Sequence, residues 1–148
     1  MSGNSIREQI LLAVLDAVRS PVELLGAMLH RSPTMAISRE LSPALVVFPE
    51  AEQITERAND RVTRELTVRL VALARAVPPA IPETEADQLL TAAHAALLAD
   101  RNLGGLALGI RELDCEWDVE DADAVAASIP ARYCVTYRTL DTDLSTTG

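Results

Sequence analysis

Side chains able to act as nucleophiles or general bases are scarce in this sequence. The only histidines are His30 and His94, and the only cysteines are Cys115 and Cys134. No G-x-S-x-G element surrounds a serine, and neither cysteine lies in a nucleophile motif or a C-x-x-C spacing. We therefore expect no enzymatic activity of this kind. We interpret the cysteines as buried thiols in a reducing cytoplasm, and leave open whether they are neighbours across a sheet.

A run of acids, the acidic strip (residues 112–123), is the one feature with the chemistry to bind a metal. On an extended strand, alternate residues share a face at intervals of about 6.6–6.8 Å. The acids predicted to line one face are Glu112, Asp114, Glu116 and Asp118. A divalent cation could bridge two of these carboxylates, although their spacing does not match an EF-hand. We favour a solvated or partner-facing strip without a cofactor, and keep a weak divalent-cation site as the alternative.

The charge balance argues against several binding functions. The formal net charge is −9, and all 13 basic residues are arginine. Neutralising phosphates needs clustered basic residues, so we expect no specific nucleic-acid binding. No Walker A motif is present, and the glycines at 104, 105 and 109 precede a predicted strand instead of opening a helix. No apolar run approaches the ~18–20 residues of a membrane span, and the N-terminus lacks the pattern of a signal peptide.

Two amphipathic helices are predicted. Ser5 and Glu8 form a capping-box pattern before an apolar stripe, which predicts a helix over 6–19 that ends at Ser20 and Pro21. An acidic start and an alanine-rich apolar stripe predict a second helix over 84–99. Between them, residues 21–42 contain a further proline at position 33 and predict an irregular segment.

Four strands are predicted from runs of apolar and alternating residues. They cover residues 44–48, 64–75, 106–119 and 131–139. The apolar residues of the third strand change parity, which requires a β-bulge or a break near Arg111. Residues 50–61 predict a solvated connection, and residues 141–148 predict a disordered tail.

These elements predict a single α+β domain over residues 1–140, followed by the tail at 141–148. The predicted order is α-β-β-α-β-β. A four-stranded, mostly antiparallel sheet with two helices packed on one face would bury every apolar stripe.

The order and texture of these elements resemble the tail-terminator (tail-completion) class of phage minor tail proteins, the group of the lambda-type minor tail protein U. The resemblance covers about residues 6–140. It rests on the opening helix, the strand Arg64-Glu65-Leu66-Thr67-Val68-Arg69-Leu70-Val71, the alanine-rich helix, and the closing strand Ala131-Arg132-Tyr133-Cys134-Val135-Thr136-Tyr137-Arg138-Thr139. It implies a structural protein of the virion tail, found in the host cytoplasm before assembly. It also implies a ring, usually hexameric, that caps the tail tube and meets the head–tail connector protein.

A ring needs two different complementary surfaces on each subunit. The acidic strip is a candidate for one surface, and arginines on strands are candidates for the other, because guanidinium groups pair well with carboxylates. The candidate interface residues are Glu112, Asp114, Glu116, Asp118, Arg64, Arg69, Arg132 and Arg138, with Arg75 in the same class.

Three other functions are compatible with the sequence. One is a head–tail connector or neck protein with a similar small fold. Another is a small metal-dependent enzyme that uses the acidic strip. The last is a cytoplasmic adaptor whose partner covers residues 21–42.

Overall fold

A computed structural model describes residues 3–31, 43–76, 79–116, 118–119 and 126–148. Within these ranges the chain forms two α-helices, a short 3₁₀ turn (Leu103–Gly105) and seven strands that belong to one sheet. The helices are α1 (Ile6–Leu24) and α2 (Pro82–Leu98). The strands are β1 (Met28–Arg31), β2 (Ala44–Ala58), β3 (Arg61–Arg75), β4 (Gly109–Cys115), β5 (Asp118–Val119), β6 (Ala126–Leu140) and β7 (Asp143–Thr147).

The predicted four-stranded sheet of order α-β-β-α-β-β is wrong. The described residues form six strands of four residues or more, in the order α-β-β-β-α-β-β-β, together with the two-residue β5. β1 lies in the segment predicted to be irregular, β2 continues through the predicted connection, and β7 lies where a disordered tail is predicted. The fold therefore contains more β-structure than the sequence pattern indicates.

The sheet is mixed, with one parallel pair. Its strand order is β1-β2-β3-β6-β4, and β5 and β7 pair with the remaining lengths of β6. β1 pairs with β2 in parallel, and every other pair among the described strands is antiparallel. The two central strands, β3 and β6, pair along their whole length, from Arg61 opposite Leu140 to Arg75 opposite Ala126.

The hydrophobic core lies between the helices and one face of the sheet, called here the helix face. Even-numbered residues of β3 are buried and odd-numbered residues are half-buried or exposed, as strand geometry requires. One buried cluster joins residues from α1, α2 and the sheet. Its largest fully buried members include Ile10, Val14, Val18, Leu66, Leu70, Leu89, Leu97, Ile129, Tyr133 and Tyr137.

Helix α1 begins where the sequence predicts and ends later. The predicted N-cap is confirmed, since the Glu8 amide donates to Ser5 Oγ at 3.0 Å. The predicted stop at Ser20 and Pro21 is wrong, because Pro21 lies inside the last turn and the helix runs on to Leu24. Proline at this position removes one backbone hydrogen bond, which costs little because it lies in the last turn of the helix. Termination comes at Gly26, whose φ of +75° suits the left-handed position after a helix.

Helix α2 and strand β4 follow their predictions with shifted ends. α2 covers Pro82–Leu98, so that Pro82 occupies the start of the helix, where its missing N–H costs nothing. The predicted long strand over 106–119 is divided into β4 and β5. The change of phase comes from a bulge between Glu112 and Asp114, within three residues of the predicted position at Arg111.

Candidate functional site

A cluster of polar side chains, the inner polar cluster (Arg7, Glu52, Arg64, Tyr137 and Thr139), lies on the helix face beneath the start of α1. Arg7 donates to both oxygens of Glu52, from Nε at 3.0 Å and from Nη2 at 2.7 Å. Arg64 Nη1 donates to Glu52 Oε2 at 3.3 Å, and Tyr137 Oη donates to Oε1. Arg64 Nε also donates to Thr139 Oγ1 at 3.2 Å. The carboxylate therefore joins α1 to three strands.

The protonation equilibria of this cluster follow from its contacts. Partial burial acts to raise the pKa of Glu52, but hydrogen bonds from Arg7 and Tyr137 outweigh it and lower that pKa below its ordinary value. Burial raises the pKa of Tyr137, and the hydrogen bond to Glu52 adds to the effect. The hydrogen bonds to Glu52 likewise raise the pKa of Arg7. Glu52 is therefore ionised, Tyr137 is neutral and Arg7 is charged at neutral pH, which makes the cluster a structural brace between helix and sheet.

A second set of charges, the outer charge ladder (Glu50, Arg69, Asp114 and Arg132), lies on the face of the sheet opposite the helices. Arg132 donates to Glu50 Oε2 at 3.0 Å and to Asp114 Oδ2 at 2.7 Å. Arg69 Nε lies 3.2 Å from Glu50 Oε1, close enough for an ion pair, although its N–H points too far aside for a hydrogen bond. The guanidinium of Arg69 also lies 5.9 Å from the ring centre of Phe48. The ladder ties β2, β3, β6 and β4 together across the sheet.

The predicted acidic face on β4 is divided by the bulge. Glu112 is opposite Tyr133, which faces the helices, whereas Asp114 is opposite Arg132 on the other face. The exposed Glu112 forms no ion pair with any described side chain, while Asp114 is bound to Arg132. The side chain of Asp118 and residues 120–123 lie outside the described residues. The acids that the structure does describe are therefore divided between two surfaces.

The predicted interface arginines are also divided between the faces. Arg64 is buried in the inner polar cluster, and Arg69 and Arg132 belong to the outer charge ladder. Arg138 donates to Thr63 Oγ1 at 3.2 Å near the tip of the β2–β3 hairpin. A role for these residues between subunits stays a prediction. Arg7, Glu52 and Tyr137 were not found by sequence reasoning, because partners 45 and 85 residues apart leave no local signal.

His94 of α2 contacts Tyr133 of β6. Its Nδ1 lies 2.8 Å from Tyr133 Oη, and the ring centres are 5.6 Å apart. Tyr133 is fully buried, and burial, reinforced by the charge of Glu112, raises its pKa. The buried phenol is best explained as a polar group of the core whose hydrogen bond is satisfied by His94.

The two cysteines lie on opposite faces of the sheet. Cys115 is opposite Ala131 on the helix face, and Cys134 is opposite Arg111 on the other face. Both are free thiols, and burial raises the pKa of each. Reactive thiols have a lowered pKa, so these are suited to packing and not to nucleophilic attack.

No group of three or more His, Cys, Asp or Glu side chains is placed to hold a metal ion within the described residues. Two grooves that are formed by described residues contain neither His94 nor an acid of β4. One, of about 290 Å³, is lined by Leu25, Ala27, Pro43, Glu85, Gln88 and Leu89. The other, of about 320 Å³, is lined by Glu56, Ala58, Asn59, Arg61, Thr63 and Arg138 at the hairpin tip. None of the helices in the described ranges is both long and apolar enough to cross a membrane.

Comparison with known proteins identifies the fold. No family model matches the chain, and no curated protein matches its sequence. Its structure is similar to that of a chain from the virion of a native gene transfer agent (GTA) particle, with a TM-score of 0.59 and 14% sequence identity. The match covers 85% of this chain and 92% of that chain. The two chains therefore share a fold across nearly their whole length.

Proposed function

We propose that this chain is a non-enzymatic structural protein of a phage or phage-like virion, which acts by assembling with other virion proteins. The observation that carries the proposal is the fold shared with a GTA virion chain over 85% of this protein and 92% of that one. The surface chemistry agrees with this function. The described charged side chains named above form ion-pair ladders and braces across the sheet.

The more specific proposal is a tail terminator. In this role copies of the chain form a ring, a hexamer in the resemblance noted above, that caps the finished tail tube. The ring binds the tail tube protein on one side and the head–tail connector protein on the other. The chain is then located in the virion tail, and in the host cytoplasm before assembly. Support comes from a sheet whose two end strands, β1 and β4, lie at its opposite edges, where neighbouring copies could join.

Electron microscopy of particles made without this chain tests the role. Tails of uncontrolled length are expected, because nothing then stops polymerisation of the tube. Supplying the wild-type chain should restore a uniform length. Tails of normal length attached to heads would contradict the proposal.

A second candidate, a head–tail connector or neck protein, predicts a different defect. Particles lacking the chain would then contain tails of normal length that are not joined to heads. The same micrographs therefore distinguish the two functions, since one defect concerns tail length and the other concerns attachment.

A further inference from the structure

Among the described strands, the two at the ends of the sheet each have one unpaired edge. Within the described part of the chain, β1 pairs only with β2, and β4 pairs only with β6. Apolar side chains adjoin both edges, since Met28 is 44% exposed and Leu108, next to the start of β4, is 56% exposed. An unpaired strand edge presents free N–H and C=O groups that another strand can bind.

The directions of these strands suit pairing between copies. β1 is parallel to β2, and the pairs β2–β3, β3–β6 and β6–β4 are antiparallel, so β1 runs opposite to β4. Rotation about an axis parallel to the strands preserves strand direction. In a ring built by such rotation, β1 of one copy meets β4 of the next in the antiparallel sense, which is the slightly more stable pairing.

We propose that β1 of each subunit pairs with β4 of the next subunit and continues the sheet around the ring. The inference rests on the ring assembly proposed above and specifies its contact surface. Such a contact is heterologous, because it joins two different surfaces of the same chain, and repeating it closes a ring when the rotation between neighbours divides a full turn evenly.

The faces of the two strands restrict the register. Leu29 and Arg31 are opposite Leu45 and Val47, on the helix face, and Arg31 binds Glu8 of α1. Met28 and His30 therefore lie on the other face. On β4, Glu112 and Cys115 lie on the helix face and Asp114 lies on the other, because of the bulge. Side chains directly opposite each other in a ladder share a face.

Several registers place side chains of the same face opposite each other, and charge favours one of them. Placing Leu29 beside Cys115 of the next subunit puts His30 beside its Asp114 and, past the bulge, Arg31 beside its Glu112. Leu29 and Cys115 both pack against the core of their own subunit, so this contact makes one continuous apolar layer. Shifting the strands toward Ile110 would place Leu29 beside Glu112 and Arg31 beside Ile110, so a charged side chain would lie opposite an apolar one at both positions.

Pairing of like edges is less favourable. A β4–β4 contact would bring Glu112 and Asp114 of two copies together, and like charges directly opposite each other are destabilising. A β1–β1 contact would leave both β4 edges unpaired and would end at a dimer. Either arrangement would give a closed dimer in place of a ring.

Cross-linking at the predicted junction tests the inference. Within one subunit β2, β3 and β6 separate β1 from β4, so a bond between these strands must join two subunits. Leu29→Cys places a thiol beside Cys115 of the next copy, and Met28→Cys places it on the opposite face as a matched control. Oxidation at mildly alkaline pH is appropriate, because burial raises the pKa of Cys115. The double variant Leu29→Cys, Cys115→Ser lacks the second thiol of the predicted bond and therefore shows whether a cross-link depends on Cys115.

The expected result is a covalent ladder of oligomers for Leu29→Cys under conditions in which native mass measurement shows the ring. The Met28→Cys protein and the Cys115→Ser double variant should give little of it. A ring that gives no cross-link with Leu29→Cys, or equal cross-linking with Met28→Cys, would overturn the strand pairing while leaving the ring intact. A covalent dimer without larger oligomers would indicate that two subunits pair with each other in a closed dimer, which would also overturn the proposed strand pairing. If no oligomer forms, alone or on tail tubes, the ring function and this inference both fail.

A charge reversal on β4 gives an independent measurement. Glu112→Arg should weaken ring assembly by about tenfold, because Arg31 of the neighbour then meets a like charge. Glu56→Arg, which reverses an exposed acid away from both end strands, should leave assembly unchanged. Equal effects of the two variants would count against the proposed register.

Discussion

At the scale of single residues, Glu52 has the largest number of described polar partners. It accepts hydrogen bonds from Arg7, Arg64 and Tyr137, which come from α1, β3 and β6. Removing one member of such a network leaves the others partly buried without their partner, which costs more than an exposed ion pair contributes. We therefore expect Glu52, although it lies in the mostly exposed outer part of β2, to contribute to the stability of the fold.

Glu52→Gln should lower the free energy of unfolding by about 2 kcal/mol near neutral pH. The pKa of Glu52 is below its ordinary value of 4.5 in the folded protein. Its contribution is therefore complete above pH 4.5 and is lost as the pH falls through the folded-state pKa. Denaturant unfolding at several pH values should show the difference between wild type and variant shrinking below pH 4.5.

Glu56→Gln serves as the control for this measurement. Glu56 is an exposed acid on the same strand, so its replacement should change stability little at any pH. The pKa of Glu8 is also lowered, by its hydrogen bond with Arg31, but Glu8 is present in every variant and its effect cancels. A Glu52→Gln difference that does not depend on pH would show that the carboxylate charge is not what stabilises the cluster.

At the scale of elements, the β2–β3 hairpin determines much of the sheet. Its two turn residues, Asn59 and Asp60, have φ values of +52° and +65°. Two-residue hairpin turns of type I′ require positive φ at both positions, which Asn-Gly fulfils best. Asp at the second position adopts this conformation at a cost, although the backbone oxygen of Asp60 also accepts a hydrogen bond from Asp141.

Asp60→Gly should therefore raise the free energy of unfolding by about 0.5 kcal/mol, since glycine has no steric penalty at positive φ. Asp60→Ala removes the same carboxylate without supplying that freedom, and should lower stability by about 1 kcal/mol. Thermal or denaturant unfolding of both variants measures the difference. Equal stabilities would mean that the turn is not held in this conformation.

Elements that bury a regular stripe could be predicted from the sequence, and exposed strands could not. β3 and the start of α1 have clear periodicity because one face of each is buried. The outer half of β2 and strand β7 are mostly exposed on both faces, so their residues do not alternate. The bulge at β4 could be expected, but its position between Glu112 and Asp114 decides which face each acid takes, and no local pattern specifies that position. The inner polar cluster depends on contacts between distant residues, which a single sequence does not show.

At the scale of the whole molecule, one core joins helices and sheet. Buried residues of α1, α2, β2, β3 and β6 form a single cluster, and Arg7 and Glu52 brace α1 against the sheet at one end of it. The two helices contact each other as well as the sheet. We therefore expect the fold to unfold as one cooperative unit. Its end strands β1 and β4 lie at opposite edges of the sheet.

Unfolding should accordingly be a single transition. Far-UV circular dichroism reports the two helices, and near-UV circular dichroism reports the packing of the aromatic side chains, which include the fully buried Tyr133 and Tyr137. The two signals should give the same midpoint in denaturant, because the helices lose their support when the sheet core opens. Val18→Ala, in the part of α1 with no solvent exposure, should lower stability by about 2 kcal/mol and shift both midpoints together. Loss of the far-UV signal at a lower denaturant concentration than the near-UV signal would contradict this prediction. It would show that the helices unfold separately from the sheet, so that a ring held by the sheet edges alone could persist without them.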